Sequence, residues 1–140
     1  MQWSPYLNFN GTCEAAFRFY EKCFNGKIVA MMPFGDTPAC EHVSAEDRDK
    51  IMHARLLVGD QVLMGSDCTT AYPYEGVKGA SVALAVDRAD DAERIFDALK
   101  EKGEVTMPLQ ETFWASRFGM CVDQFGVPWM INCEAAGDAS

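Results

Sequence analysis

Hydrophobic and polar positions along this chain follow one order of patterns, and that order occurs twice. Tyr6-Leu7-Asn8-Phe9 alternates and Val82-Ala83-Leu84-Ala85-Val86 is a short apolar run, so each predicts a strand. A helical period follows each. Ala92, Ile95, Phe96 and Leu99 recur at i, i+3, i+4 and i+7, while the first copy carries an aromatic stripe of Phe17, Phe19, Tyr20 and Phe24. Asp90 with Glu93 resembles a capping box, and Asn10 and Thr12 compete to cap the first helix. Gly26 and Gly103 are read as the left-handed residues that end the two helices. Strands follow over Lys27 to Phe34 and Glu104 to Leu109. Each half then closes with a hairpin, one turning at Gly59-Asp60 and the other across Asp123 to Gly126.

Sliding Glu14 to Phe19 by 77 residues onto Asp91 to Phe96 puts acid on acid, Ala15 on Ala92 and Phe19 on Phe96. Gly26 then falls on Gly103 and Ile28 on Val105. The pattern predicts an α+β chain of two tandem βαβββ units, about 5–67 and 79–133, in one domain over 1–134. Residues 135–140 read as a flexible tail. Two stretches break the symmetry. Residues 35–50 form an acidic insertion without periodicity, read as a mobile loop, and 66–79 is an aromatic link that competes for a role as a lid.

Composition narrows the functional classes. A formal net charge of −9 repels phosphate backbones and acidic lipid surfaces. No nucleic-acid or membrane partner is expected. No stretch approaches the roughly 20 apolar residues of a membrane-spanning helix, and the N-terminus does not read as a secretory signal. The six cysteines contain no Cys-x-x-Cys pair, so reduced thiols in a cytoplasmic protein are expected. Cys13, near a helix N-terminus, is either a thiol of lowered pKa or a small packing residue.

Tyr6-Leu7-Asn8-Phe9, Ala16-Phe17-Arg18-Phe19-Tyr20, Phe113-Trp114-Ala115-Ser116-Arg117-Phe118-Gly119 and Phe125-Gly126-Val127-Pro128-Trp129 together resemble the vicinal oxygen chelate superfamily. That group contains glyoxalase I, extradiol dioxygenases and bleomycin-resistance proteins. Within it the chain is most similar to the PhnB-like branch, which carries a 3-demethylubiquinone-9 3-methyltransferase name. The resemblance implies a U-shaped mixed sheet with helices on its convex face, a concave pocket and a homodimer. It also implies four His or Glu metal ligands, on the first and last strands of each unit. Here those positions fall at Pro5, Leu63, Ser81 and Met130. Proline and leucine have no donor atom, serine is a poor ligand and methionine is soft, so no metal and no cofactor are expected. No glycine-rich strand-to-helix turn of the kind that holds S-adenosylmethionine is present either.

Strand alternation nominates the pocket lining. Met130 and Asn132 share a face with Pro128. Pairing across Asp123 to Gly126 sets Gly119 opposite Met130 and Arg117 opposite Asn132, which makes Arg117 a candidate anchor for an anion. The competing reading pairs Arg117 with an acid such as Glu111. Phe9, Leu63 and Ser81 are expected to face the cavity, with Gln110 and Glu111 at its mouth. Trp114 and Trp129 are assigned to the core. His53 is placed opposite Ser66, away from Leu63, as a surface or interface residue. His42 lies in the acidic loop without a ligand set.

Three classes of function follow: a metal-free binding protein for a small molecule, with anions among the candidates; an enzyme with absent or unusual metal ligands; and a homodimeric scaffold with a vestigial pocket. Binding is preferred. The inward polar residues favour it over the scaffold, and the missing ligands favour it over the enzyme.

Overall fold

A computed structural model describes residues 1–134, apart from the side chains of Ala39 and His42. The readings for the 135–140 tail and for His42 therefore lie outside the described residues. The chain divides into two compact units, Met1–Gly76 and Val77–Ser140. In the first, β1 (Tyr6–Phe9), α1 (Cys13–Phe24), β2 (Lys27–Pro33), β3 (Ile51–Val58) and β4 (Gln61–Asp67) follow in order. The second repeats it as β5 (Val82–Val86), α2 (Ala89–Leu99), β6 (Glu104–Gln110), β7 (Ala115–Val122) and β8 (Pro128–Glu134). Each unit forms a four-stranded mixed sheet of the same connectivity, β1-β4-β3-β2 and β5-β8-β7-β6, whose first pair is parallel.

One helix covers one face of each sheet. Cys13, Ala16, Phe17, Tyr20 and Cys23 form the buried stripe of α1. Phe9 meets Phe17 edge-on with ring centroids 6.1 Å apart. Phe9, Phe17 and Tyr20 are fully buried, and each contributes roughly 1.5–3 kcal/mol of burial free energy. Ala92, Ile95, Phe96 and Leu99 are buried on α2 as the spacing predicts. Gly65 and Gly119 let the helices sit close. A Cβ on Gly65 would lie 2.8 Å from Phe17, and one on Gly119 would lie 3.0 Å from Phe96.

Helix ends differ from their sequence readings. Asn25 (φ 54°) and Lys102 (φ 58°) take the left-handed conformation, not the glycines that follow them. Gly26 and Gly103 are needed for space instead, because a Cβ on them would strike the carbonyl oxygens of Leu57 and Val122. Thr12 and Arg88 occupy the N-cap positions without side-chain capping bonds, so Asp90 and Glu93 form no capping box.

The acidic insertion is built from three short 3₁₀ turns, Phe34–Asp36, Pro38–His42 and Ala45–Asp47. Its anchor is Asp47, which is buried, ion-paired with Lys50 at 2.9 Å and bonded by the Thr70 backbone N–H and hydroxyl. The loop is therefore tied to the link that follows β4. Asp67 provides a second tie: its carboxylate accepts from the backbone N–H groups of Cys13 (2.9 Å) and Ile51 (2.8 Å), joining α1 to β3.

Candidate functional site

In each unit the face of the sheet opposite its helix carries the side chains available for recognition. In the first unit register puts Tyr6 across from Met64 and Asn8 across from Ser66. Arg55 also pairs with Met64 and His53 with Met32. Their alternate neighbours Leu7, Phe9, Ala54, Leu56, Leu63 and Gly65 are buried under α1. Tyr6 and His53 confirm the shared face, with ring centroids 6.1 Å apart at a 31° tilt. Arg55 is exposed and makes no ion pair among the described residues.

In the second unit Ala83 lies across from Met130 and Ala85 from Asn132. Met120 and Phe118 flank them from β7, and Gln110 pairs with Phe118 from β6. This helix-free face is largely apolar; besides Asn132 it carries the exposed Gln110, Glu104 opposite Val122 and Glu134 two residues beyond Asn132. The Asn132 Oδ1 is buried and has no hydrogen-bond partner. A row of edge-to-face rings runs beside it: Trp114 lies 5.5 Å from Phe118, and Phe113 lies 4.7 Å from Trp114.

Several expected positions move. Phe9 and Leu63 do not line the helix-free face; the aromatic stripe of α1 draws both under the helix, where the most apolar surface is buried. Pro5 and Ser81 lie just before β1 and β5. Arg117 lies opposite Cys133, and Gly119 opposite Ile131. The reason is the length of the turn. Val127 belongs to it, because the Asp123 N–H donates to the Val127 carbonyl at 2.9 Å, and a one-residue slip reverses every side chain. Arg117 consequently reaches α2, where its Nε donates to Glu93 Oε1 at 3.0 Å, so its partner is Glu93 rather than Glu111.

Arg117 also borders a groove of about 450 Å³ between α2 and β6, with Glu93, Phe96, Lys100 and Pro108. The charges there are mutually paired, since Lys100 meets Asp97 at 3.0 Å. Glu111 is exposed just after β6. Trp129 is buried as expected, whereas Trp114 is 45% exposed. Arg55 and Tyr6 are the residues that sequence reasoning passed over, whereas His53 lies on the face away from Leu63, where the spacing placed it. His53 and Arg55 are two apart on β3, a spacing that marks one face once its parity is known.

Of the metal positions implied by the resemblance, Leu63 is buried under α1, Pro5 and Ser81 precede their strands, and Met130 pairs with Ala83. The same cross-strand pair occurs in both units, Tyr6 with Met64 and Ala83 with Met130. A phenol, two thioethers and a methyl group do not make a donor set for zinc, nickel or iron(II), so these residues do not fit that metal. Among the described residues no three His, Cys, Asp or Glu side chains form a metal-holding group.

Three of the thiols, Cys13, Cys68 and Cys121, are pushed away from activation. Burial, then Asp67 and Glu14, push the Cys13 thiol well up, opposite to the lowered value weighed for a helix N-terminus. Burial and Asp123 raise Cys121 to about 11, and burial raises Cys68.

Comparison with known proteins places this geometry in context. The family model described as the glyoxalase/bleomycin resistance protein/dioxygenase superfamily matches residues 6–131. Protein YjdN of Escherichia coli (strain K12) is 34% identical over 140 residues, covering 94% of this chain and 95% of its own. The crystal structure of protein PA1353 from Pseudomonas aeruginosa is 55% identical, with a TM-score of 0.89 over 96% of this chain and 98% of that one. A PhnB protein from Bacillus cereus, which carries the 3-demethylubiquinone-9 3-methyltransferase name, shares the fold. Its TM-score is 0.77 at 21% identity, over 95% of this chain and 99% of that one.

Proposed function

Because the chain belongs to the glyoxalase/bleomycin resistance/dioxygenase superfamily, we propose that it binds a small organic molecule on its helix-free sheet faces without a divalent metal. The carrying observation is the repeated cross-strand pair. Tyr6 with Met64 and Ala83 with Met130 occupy the parallel strand pair of each sheet, and neither pair offers a metal-binding donor set. Recognition groups nonetheless surround them. Asn8, His53, Arg55 and Ser66 share the Tyr6 face, and Asn132 shares the Met130 face. An exposed arginine without an ion-pair partner suits a carboxylate or phosphate on the ligand. Arg55 therefore takes the anion-anchor role that the sequence suggested for Arg117.

The test is a thermal-shift screen of small organic acids, run with and without a chelator. Hits that survive chelation are expected. Elemental analysis after metal-supplemented expression should find no zinc, nickel or iron near one per chain. One per chain, together with loss of every hit on chelation, would overturn the reading.

The Tyr6–His53 contact favours a second reading, metal-free proton transfer to or from a bound ligand, because an imidazole can carry a proton near neutral pH. Turnover of a confirmed ligand that is lost in His53→Gln would select it. The homodimer rests on the resemblance and the cytoplasmic location on the cysteine pattern; sedimentation and cell fractionation test them.

A further inference from the structure

Within the second unit two independent features meet at one place. The first is the Asn132 Oδ1, buried without a partner on the helix-free face. A buried acceptor left unpaired is costly, and native structures rarely leave one without a function. The second is the ring row. Phe118 lies directly across from Asn132, Trp114 packs edge-on to Phe118, and Phe113 packs edge-on to Trp114. Phe113 is 94% and Trp114 45% exposed, unusual for residues of that size beside a half-buried sheet face. Met120 and Met130 complete the surroundings, and thioethers adapt to flat aromatic surfaces.

From this juxtaposition we infer that the second unit carries a subsite for a planar aromatic group bearing an N–H or O–H donor. The ring packs along Phe118 and Trp114, and the donor bonds to Asn132 Oδ1. The inference rests on the binding reading above and adds the chemical class of one part of the ligand. The proposed contacts use no charged group: Arg117 is committed to Glu93 on the opposite face, and Gln110, Glu104 and Glu134, the exposed polar side chains that share this face, turn to solvent.

The test uses two probes of matched shape, indole with an N–H donor and benzothiophene without one, titrated into ¹⁵N-labelled protein. Indole is expected to shift the Asn132 side-chain amide and the Trp114 indole signal, and to bind about tenfold more tightly than benzothiophene. Asn132→Asp keeps an acceptor and should keep the preference, whereas Asn132→Leu should abolish it. Trp114→Ala, at an exposed position that leaves the core intact, should weaken both probes alike. Equal binding of the two probes to the wild type, or a preference that survives Asn132→Leu, overturns the inference and leaves the binding reading standing. Signals of Phe113 and Trp114 that respond to protein concentration and not to either probe overturn it in favour of a contact with a second copy. If organic acids also fail to bind either helix-free face, the broader reading falls too.

Discussion

The Asp123 carboxylate accepts a hydrogen bond from Trp129 Nε1 at 2.8 Å, joining the first residue of the β7–β8 turn to the second residue of β8. The same carboxylate accepts from the backbone N–H groups of Phe125 (2.8 Å) and Val127 (3.1 Å). Three donors on one buried acid hold a turn that includes Val127, and this length sets the register from Val122 opposite Pro128 to Arg117 opposite Cys133. Asp123→Ala removes the acceptor shared by the Trp129 Nε1–H and the backbone N–H groups of Phe125 and Val127. We expect a loss of about 3 kcal/mol in urea denaturation, because bonds to a charged acceptor are the stronger kind. A loss under 1 kcal/mol would show that the clamp is dispensable.

The two helix ends make a separable prediction. Gly26 is held by space, since a Cβ there would lie 2.7 Å from the Leu57 carbonyl oxygen. Asn25 is held by conformation, at φ 54°. Gly26→Ala should cost about 1–3 kcal/mol through overpacking. Asn25→Gly should change stability by no more than about 0.5 kcal/mol, because glycine tolerates the left-handed region. The opposite ranking in thermal melts would mean that the glycine is there for its backbone freedom.

Much of this architecture was legible in the residues, and the boundary of legibility has a physical cause. The repeat, the helical stripes and both hairpins follow from local periodicity and turn chemistry, which neighbouring residues determine. Face assignment depends on parity, and parity on whether one residue belongs to a turn. Counting Val127 outside the β7–β8 turn moved Arg117 onto the wrong face. Met130 and Asn132 kept their common face because they lie on one strand, where alternation does not depend on the turn. Leu63 was misread for a different reason: only the contact of Gly65 with Phe17 shows which face α1 covers. Asp47 and Asp67 carried no sequence signal, because their partners Thr70, Cys13 and Ile51 are distant along the chain.

Asp47 makes stability depend on pH in a definite window. Its ion pair with Lys50, opposed by burial and assisted by bonds from Thr70 and Ser44, lowers the carboxyl from 3.8 to about 2. A group whose pKa is lower in the folded state stabilises it above the unfolded value and loses that contribution as the pH falls through the folded one. Wild type should therefore melt above Asp47→Asn at about pH 6, and the gap should close between about pH 4 and pH 2. Limited proteolysis of the 35–50 loop should show the same trend, with the variant cut faster near neutral pH. A melting gap that stays constant down to pH 2 would mean that the charge of Asp47 contributes nothing.

The two arginines of the sheets should behave oppositely. Arg117 and Glu93 form a partly exposed pair, with side chains 33% and 51% accessible, and such pairs contribute at most about 1 kcal/mol. Arg117→Leu should therefore lower stability slightly and leave the affinity of any organic acid within about twofold, because its side chain lies on the helix side of the sheet. Arg55 shares the other face with Tyr6 and Met64 in the first unit and forms no ion pair among the described residues. Arg55→Leu should leave the melting temperature nearly unchanged but weaken organic acids by roughly tenfold, as expected for the loss of one charge-assisted bond. Arg55→Lys should recover part of that loss, because it restores the charge without the guanidinium fork. Calorimetry of the three variants against one acid found in the screen separates the roles. Should Arg117→Leu weaken the acid while Arg55→Leu does not, the anion would have to bind on the helix side, in the groove beside α2.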